Sequence, residues 1–289
     1  MKYKILFILL IFLIPITSFS FDSKQLIRFK VIRICKNCDL SASNLSKEDL
    51  NDSIISNTNF KNSDLKKINF ENSQLRNVDF NGSNLSGVNF FDSFLSKIDF
   101  SNSNLAYSNF QNINGNNLVF SNSNLMSSNI SAAKFKNSKF INSNMKNSNF
   151  MNSEFSETLF EKINLMEENI ESVKFLDSNM ELINFELSTL NNILISDSNL
   201  RGANFKSVNL SDVSIFNSDL EGAVLTNSRF KNSSLVRVNL KGANLENADL
   251  SGVDLTNSNL EETNLINTNL SGAKFCNTKM PSGLKNNDC

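Results

Sequence analysis

Hydrophobic residues along this chain recur at every fifth position. From Leu40 to Met280 there are 49 positions at that spacing, all Leu, Phe, Ile or Met except Gly115, and no insertion or deletion shifts the register. Two residues before each of these centres lies a second constrained position. In 46 of the 49 units it is Ser, Thr, Ala, Val, Ile or Cys, and the departures are Glu48, Leu118 and Glu168. The residue just before the centre is Asn or Asp in 32 units, whereas the two after it vary freely and carry most of the charge. A helix repeats near 3.6 residues and a half-buried strand near 2. A period of five fits neither, and calls for a unit that turns a corner every five residues and sends two side chains inward, one large and one small. Asn and Asp tolerate the backbone angles of tight turns and can bond nearby amides, so the strained geometry is expected at the residue before the centre.

These residues resemble the pentapeptide-repeat family and its A-(D/N)-L-x-x pattern. Ala203-Asn204-Phe205, Ala243-Asn244-Leu245 and Ala248-Asp249-Leu250 match it outright, while Ser63-Asp64-Leu65 and Ser123-Asn124-Leu125 carry Ser in place of Ala. The resemblance spans residues 38–280 and implies the family's fold, an all-β, right-handed, quadrilateral parallel β-helix. With about four units per coil this gives about 12 coils and, at about 4.8 Å per strand, a rod about 58 Å long. Gly115 is expected to mark a bend or thin spot. A carboxylate at the inward positions of Glu48 or Glu168 would be costly, so a local bulge is expected to swing each one outward.

The ends differ from the repeat. Lys2 and Lys4 precede an apolar run, Ile5 to Ile16, followed by small residues at Ser18 and Ser20. That layout reads as a secretory signal peptide, residues 1–20, cleaved after Ser20; left uncleaved, it would act as an anchor. No other stretch is apolar enough to cross a membrane. Residues 21–37 read as an N-terminal cap. Asp22 and Gln25 suggest a capping box, and Leu26, Ile27, Phe29 and Ile34 would line one side of a short helix, although Ile27 to Val31 also alternates like a strand. Residues 281–289 form a C-terminal tail. Cys35 to Leu40 resembles the opening, and Phe275 to Gly283 the closing segment, of exported pentapeptide-repeat proteins.

Of the four cysteines, two lie at each end. An even count in an oxidising compartment suggests disulfides. On the rod implied by the resemblance the ends lie far apart, which favours Cys35–Cys38 with Cys276–Cys289 among the three pairings. A redox dithiol at Cys35 and Cys38 is the sharper alternative, but both fall on inward positions and such thiols need exposure.

Composition removes most chemistry. The chain has no His, which excludes His-based triads and zinc sites of the His-Glu-x-x-His kind. No Gly-rich phosphate loop is present, and no cofactor or metal is expected. Without residues 1–20, which hold two lysines and no acid, the net charge moves from −1 to −3. That balance suits neither a nucleic-acid binder nor a strongly acidic mimic of one. Charge is uneven, however. Residues 131–153 hold four lysines and no acid, and residues 154–186 hold nine acids. Glu154, Glu157, Glu161, Glu167, Glu171, Asp177, Glu181 and Glu186 are the candidate interaction surface. A stripe of outward apolar residues, Ile54, Phe94, Leu176, Leu194, Phe216 and Val236, is a weaker one.

The expectation is a non-catalytic, exported structural or protein-interaction rod, in a periplasm, the extracellular space or a thylakoid lumen, with an unidentified protein partner or with itself. The alternatives are a DNA mimic that binds topoisomerases, which the resemblance brings in, and a thiol redox protein.

Overall fold

The corner that the period demands is made by the second residue after each centre. In the computed structural model, which describes residues 23–285 and Cys289, every fifth residue from Asn37 to Asn277 has a positive φ, 48–63° in ordinary residues and 62–71° in glycines. This is the left-handed region that a type II turn requires at its third residue. The turn is closed in many units by a bond from the inward small residue to the preceding centre, as from Ser63 N–H to Phe60 O at 3.2 Å. The expected location of the strain is therefore corrected. The Asn or Asp before the centre is extended, because the small residue and the centre can both face inward only if the residue between them faces out.

Four corners make one coil, and residues 20 apart stack. Parallel pairing at that step runs from Ile34↔Ile54 to Asn259↔Lys279. The first face carries the centres Cys35 to Phe275, the second Leu40 to Met280, the third Leu45 to Leu265 and the fourth Leu50 to Leu270. The first face and its corner onto the second form a 13-stranded sheet. Its longest strands, Ile54–Asn59, Gln74–Asp79, Phe94–Asp99 and Asn114–Val119, run through that corner.

Like stacks on like inside. Phe60, Phe80, Phe100, Phe120, Phe140 and Phe160 form one column on the second face, with centroids 4.6–5.3 Å apart and planes within 14° of parallel. The spacing matches that of neighbouring strands. Edge contacts tie the column to other faces, as between Phe90 and Phe100 at 68°; aromatic pairs favour such offset and edge geometries. The small inward position accepts Ser because its hydroxyl finds a carbonyl. Ser83 Oγ donates to Phe60 O at 2.7 Å, one coil back, and Ser103 Oγ to Phe100 O at 2.6 Å, within its own turn.

Outside, the Asn and Asp before the centres form ladders. Asn69, Asn89 and Asn109 each donate an amide hydrogen to the side-chain oxygen one coil earlier, at 2.8–2.9 Å. The same oxygens accept the N–H two residues on, as Asn69 Oδ1 does from Glu71 N–H at 3.1 Å. Their part in satisfying local amides is thus as expected.

Gly115 makes no bend. It pairs in register with Leu95 and Phe135. A Cβ on it would lie 2.7 Å from Leu118 Cδ1. Leu118 is the large residue at a small position, and its side chain fills the space that Gly115 leaves. The two departures in the repeat compensate each other.

The first coil is covered, and the last is covered in part, with Leu265 and Leu270 only half-buried. Helix α1, Ser23–Ile32, lays Phe29 on Phe60 with ring centroids 6.3 Å apart, and Phe29 is fully buried. Leu26 is half-buried, Ile27 faces solvent, and Ile34 belongs to the strand Ile34–Lys36 with its side chain exposed. The helix side that docks is therefore narrower than expected. At the other end Thr278–Met280 pairs antiparallel with Gly283–Lys285, and Cys276–Cys289 ties the chain end to the last coil. Residues 1–20 and Asp22 lie outside the described residues. Among the described residues no helix is long and apolar enough to cross a membrane.

Replacing Gly115 by Leu should destabilise the rod by about 2 kcal/mol through overpacking, and Leu118→Ser by about 2–3 kcal/mol through a cavity. The double variant restores the usual large–small order and should cost at least ~1 kcal/mol less than the sum of the two. Denaturant melts of the four proteins measure this, and simple additivity would contradict the compensation.

Candidate interaction surface

Three outward positions recur per unit: the residues flanking the centre and the left-handed corner. Each runs down the rod as a column at 20-residue steps, so the surface is a set of parallel stripes. The candidate acids fall on several of them. Glu154 lies on the first face, Glu161 and Glu181 on the second, Glu186 on the third and Glu171 on the fourth, while Glu157, Glu167 and Asp177 are corners. Stacking brings Glu161 beside Glu181 and Glu157 beside Asp177. The rest are spread around the rod as a ring.

Coil stacking also joins the basic stretch to the acidic one. Lys134, Glu154 and Lys174 occupy successive rungs, with Lys174 Nζ 3.8 Å from Glu154. Lys136 reaches Glu157 at 3.3 Å, Lys162 reaches Glu161 at 3.9 Å and Lys206 reaches Glu186 at 3.0 Å. Among the described residues Glu167, Glu171, Asp177 and Glu181 have no ion-pair partner. Exposed pairs of this kind add little stability, but they cancel charge that a partner would otherwise meet.

Beside the unpaired acids stand two leucines that the repeat pattern did not single out. Leu182 and Leu187 are left-handed corners, at φ 57° and 61°, and they are 69% and 50% exposed. A branched residue at positive φ is strained, whereas Gly and Asn adopt that geometry readily. Leu182 follows Glu181 directly, and Leu187 stacks one coil after Glu167. Leucine at the second position after the centre, where Asn dominates, was the available signal; treating that position as freely variable hid it.

The apolar stripe lies on the first face as expected, in the two columns that flank its centres. Only Ile54 is largely exposed. Phe94, Leu176, Leu194, Phe216 and Val236 are half-buried by their neighbours, and the Arg76 guanidinium covers Phe94 at 4.5 Å from its ring centre.

The inward acids correct the bulge expectation, since the register is unbroken at both. Glu48 belongs to the first coil among the described residues. Its side chain reaches the cap, where Lys30 Nζ of α1 donates to it at 2.6 Å. Glu168 is buried, 8% exposed, and its carboxylate accepts the Asn147 N–H at 2.9 Å. The cysteines form Cys35–Cys38 and Cys276–Cys289 and none is free. Cys35 is buried, which denies it the access a redox dithiol needs. Among the described residues no group of three His, Cys, Asp or Glu is placed to hold a metal ion.

Farther along, Arg201 bridges Glu221 at 2.6 Å and Asp219 at 3.1 Å. Hydrogen bonding to Glu221 and then to Asp219 raises the guanidinium further above its already high range. The same bond holds Glu221 below the usual carboxylate range. Glu186 is lowered by Lys206 and Asn204, and Asp249 by its bonds from Ser251.

The family description "Pentapeptide repeats" matches residues 93–131, 128–165, 183–222, 214–252 and 243–280, and "Pentapeptide repeat region" matches 34–110. No curated protein sequence matches significantly. Among solved structures, the chain is similar to trypsin-treated QnrB1, a plasmid-mediated fluoroquinolone resistance protein. That match has a TM-score of 0.57 at 18% identity over 63% of this chain and 91% of that one. It is also similar to HetL, a pentapeptide repeat protein involved in heterocyst differentiation regulation from the cyanobacterium Nostoc sp. strain PCC 7120. There the TM-score is 0.34 at 18% identity, covering 91% of this chain and 99% of that one. A third is a pentapeptide repeat protein from the Arabidopsis thaliana thylakoid lumen, with a TM-score of 0.20 at 25% identity over 43% and 69% of the two chains.

Acid should weaken the rod. Glu186, Glu221 and Asp249 are held low in the folded state, so the unfolded chain binds more protons as pH falls. Their stabilisation is complete above the ordinary carboxylate range and is lost through the folded values below it. Melting temperature should therefore drop from about pH 4.5 downward. Arg201→Gln should flatten that limb, and an identical profile in the variant would contradict the assignment to Glu221.

Proposed function

This chain belongs to the pentapeptide-repeat family, and we propose that it is an exported, non-catalytic rod that docks a protein partner through the coils around residues 161–187. The observation that carries the reading is the pair of leucines at strained, exposed corners. Stability alone favours Asn or Gly there, as at most other corners. Leu182 and Leu187 stand beside the unpaired Glu167 and Glu181, with Lys162 and its partner Glu161 one coil before, which makes an apolar anchor with a mainly acidic rim. Interfaces draw their affinity from a few apolar anchors inside a polar surround, and the rim suits a partner with a basic surface. Glu154, Glu157, Glu171, Asp177 and Glu186 extend the acidic ring around the rod.

Export is supported by the disulfides at both ends, which persist in oxidising compartments, together with the leader-like residues 1–20. The absence of converging catalytic groups on the described surface fits a binding role. A DNA-mimic role has less support, because the acidic column of the second face is interrupted by cations. It runs Glu161, Glu181, Arg201, Glu221, Lys241, Glu261.

The test uses the mature chain as bait in the exported fraction of its own cell. Leu182→Asn with Leu187→Asn should raise stability by about 1 kcal/mol per site by relieving the left-handed leucines, and should abolish capture of the partner. Undiminished capture, or a destabilised variant, would overturn the docking surface. Mass spectrometry of the native protein tests export separately. It should find a chain beginning at Phe21 with no free thiol, and four reduced cysteines would count against it.

A further inference from the structure

Among the described residues the rung-to-rung bridges are interrupted on two adjacent faces at one level. Up to Leu125 and Ile130 the third- and fourth-face amides bond the next coil, Leu125 N–H to Asn144 O at 2.7 Å and Ile130 N–H to Asn149 O at 2.9 Å. The pattern resumes with Leu165 N–H to Asn184 O at 2.8 Å and Thr189 N–H to Glu168 O at 3.0 Å. Between these, the amides of Met145, Phe150, Asn164 and Asn169 make no such bond among the described residues. The bridges Asn124↔Asn144 and Asn164↔Asn184 are present, while Asn144 and Asn164 are not bridged to each other. The strand Asn169–Glu171 accordingly begins a separate sheet with Thr189–Asn191 and Asn209–Ser211. The asparagine ladder of the fourth face, continuous from Asp49 to Asn149, stops at the same level.

The other two faces stay closed. Lys139–Ile141 pairs with Leu159–Glu161, and Glu154–Ser156 with Lys174–Leu176. The last bond before the gap is Asn142 N–H to Glu161 O at 2.8 Å, and the first after it is Asn152 N–H to Glu171 O, stretched to 3.4 Å. The coils therefore part over two adjacent faces and are held over the other two.

Glu168 sits in the opening. In the coils on either side the equivalent corner amides bond a backbone carbonyl, Ser127 N–H to Lys146 O and Glu167 N–H to Glu186 O. Asn147 N–H instead bonds Glu168 Oε1. The carboxylate occupies the place of a ladder acceptor, at a position filled by Ser148 and Ser188 in the coils before and after. A cleft of about 310 Å³ lies beside it, and Ser143 Oγ, buried at its edge, has no hydrogen-bond partner among the described residues. Lys146 and Lys162 line the cleft with Glu167 and Glu168. Charges of both signs and backbone groups of both kinds single out no ligand chemistry.

We propose that Glu168 is a wedge that opens a joint in the rod, with the first and second faces as its hinge and the third and fourth as its mouth. The blocks on either side keep their bridges on all four faces and are then two bodies that can change their mutual angle, whereas a continuous ladder is rigid.

Amide hydrogen exchange on the full oxidised chain tests this. The Met145, Phe150, Asn164 and Asn169 amides should exchange at least roughly tenfold faster than those of Leu125, Ile130 and Leu165. Glu168→Ser supplies the residue of the neighbouring coils. It should close the ladder, slow those four amides to the level of their neighbours and raise the melting temperature. Glu168→Gln keeps the bulk and should leave them fast. Equal protection in the unmodified protein overturns the proposal. So does a Glu168→Ser chain whose four amides stay fast, or a Glu168→Gln chain in which they close.

Discussion

Everything in this rod depends on a left-handed residue at every fifth position. The corner it makes is what lets a five-residue unit send its large and its small residue inward and still travel around a square. Because each corner consumes the same number of residues, the coil closes at 20 and every residue meets its own equivalent one coil on. The cost of the positive φ recurs in each unit, and Asn or Gly at many corners keeps it small. Where neither is present, as at Leu182 and Leu187, the strain is borne by the ladders on both sides.

Stacking at 20 residues changes what proximity means. Phe on Phe and Asn on Asn become continuous columns, so one favourable pair is repeated along the rod and stability grows roughly as a sum over neighbours. Charges behave differently. Lys134, Glu154 and Lys174 are distant along the chain yet successive in space. The basic and acidic stretches that look separate in sequence therefore partly neutralise each other. The acids that remain unpaired are the informative ones, and only the coil register identifies them.

The fold was legible because its determinants are local and repeated. The inward centres and small residues follow from position within a unit, while the four faces, and with them the local disulfides, follow from the resemblance to pentapeptide-repeat proteins. What was not legible depended on contacts between coils. The strain was assigned to the Asn before the centre, although alternation of inward and outward side chains demands an extended residue there. Gly115 and Leu118 looked like two defects, since nothing in a linear pattern says that one fills the other. Glu48 and Glu168 share an inward position and differ in outcome only because Glu48 has a cap helix above it and Glu168 has another coil.

The departures from the repeat are therefore where this rod acquires individuality. A perfectly regular solenoid offers the same surface at every level and gives a partner no reason to choose one coil over another. Leu182 and Leu187 break that equivalence on the outside, and Glu168 breaks it within, in the coil just before them. Neither change follows the repeat: the leucines sit where Asn is easier, and the carboxylate sits where the coils before and after carry serine. Their closeness has a mechanical consequence. On the proposed reading, a joint next to a docking surface would let the blocks before and after it adjust their angle as a partner seats, without disturbing the cap helix at one end or the disulfide-tied hairpin at the other. Bridged faces on either side would confine such a motion to a single level, and its direction would be set by which two faces remain paired.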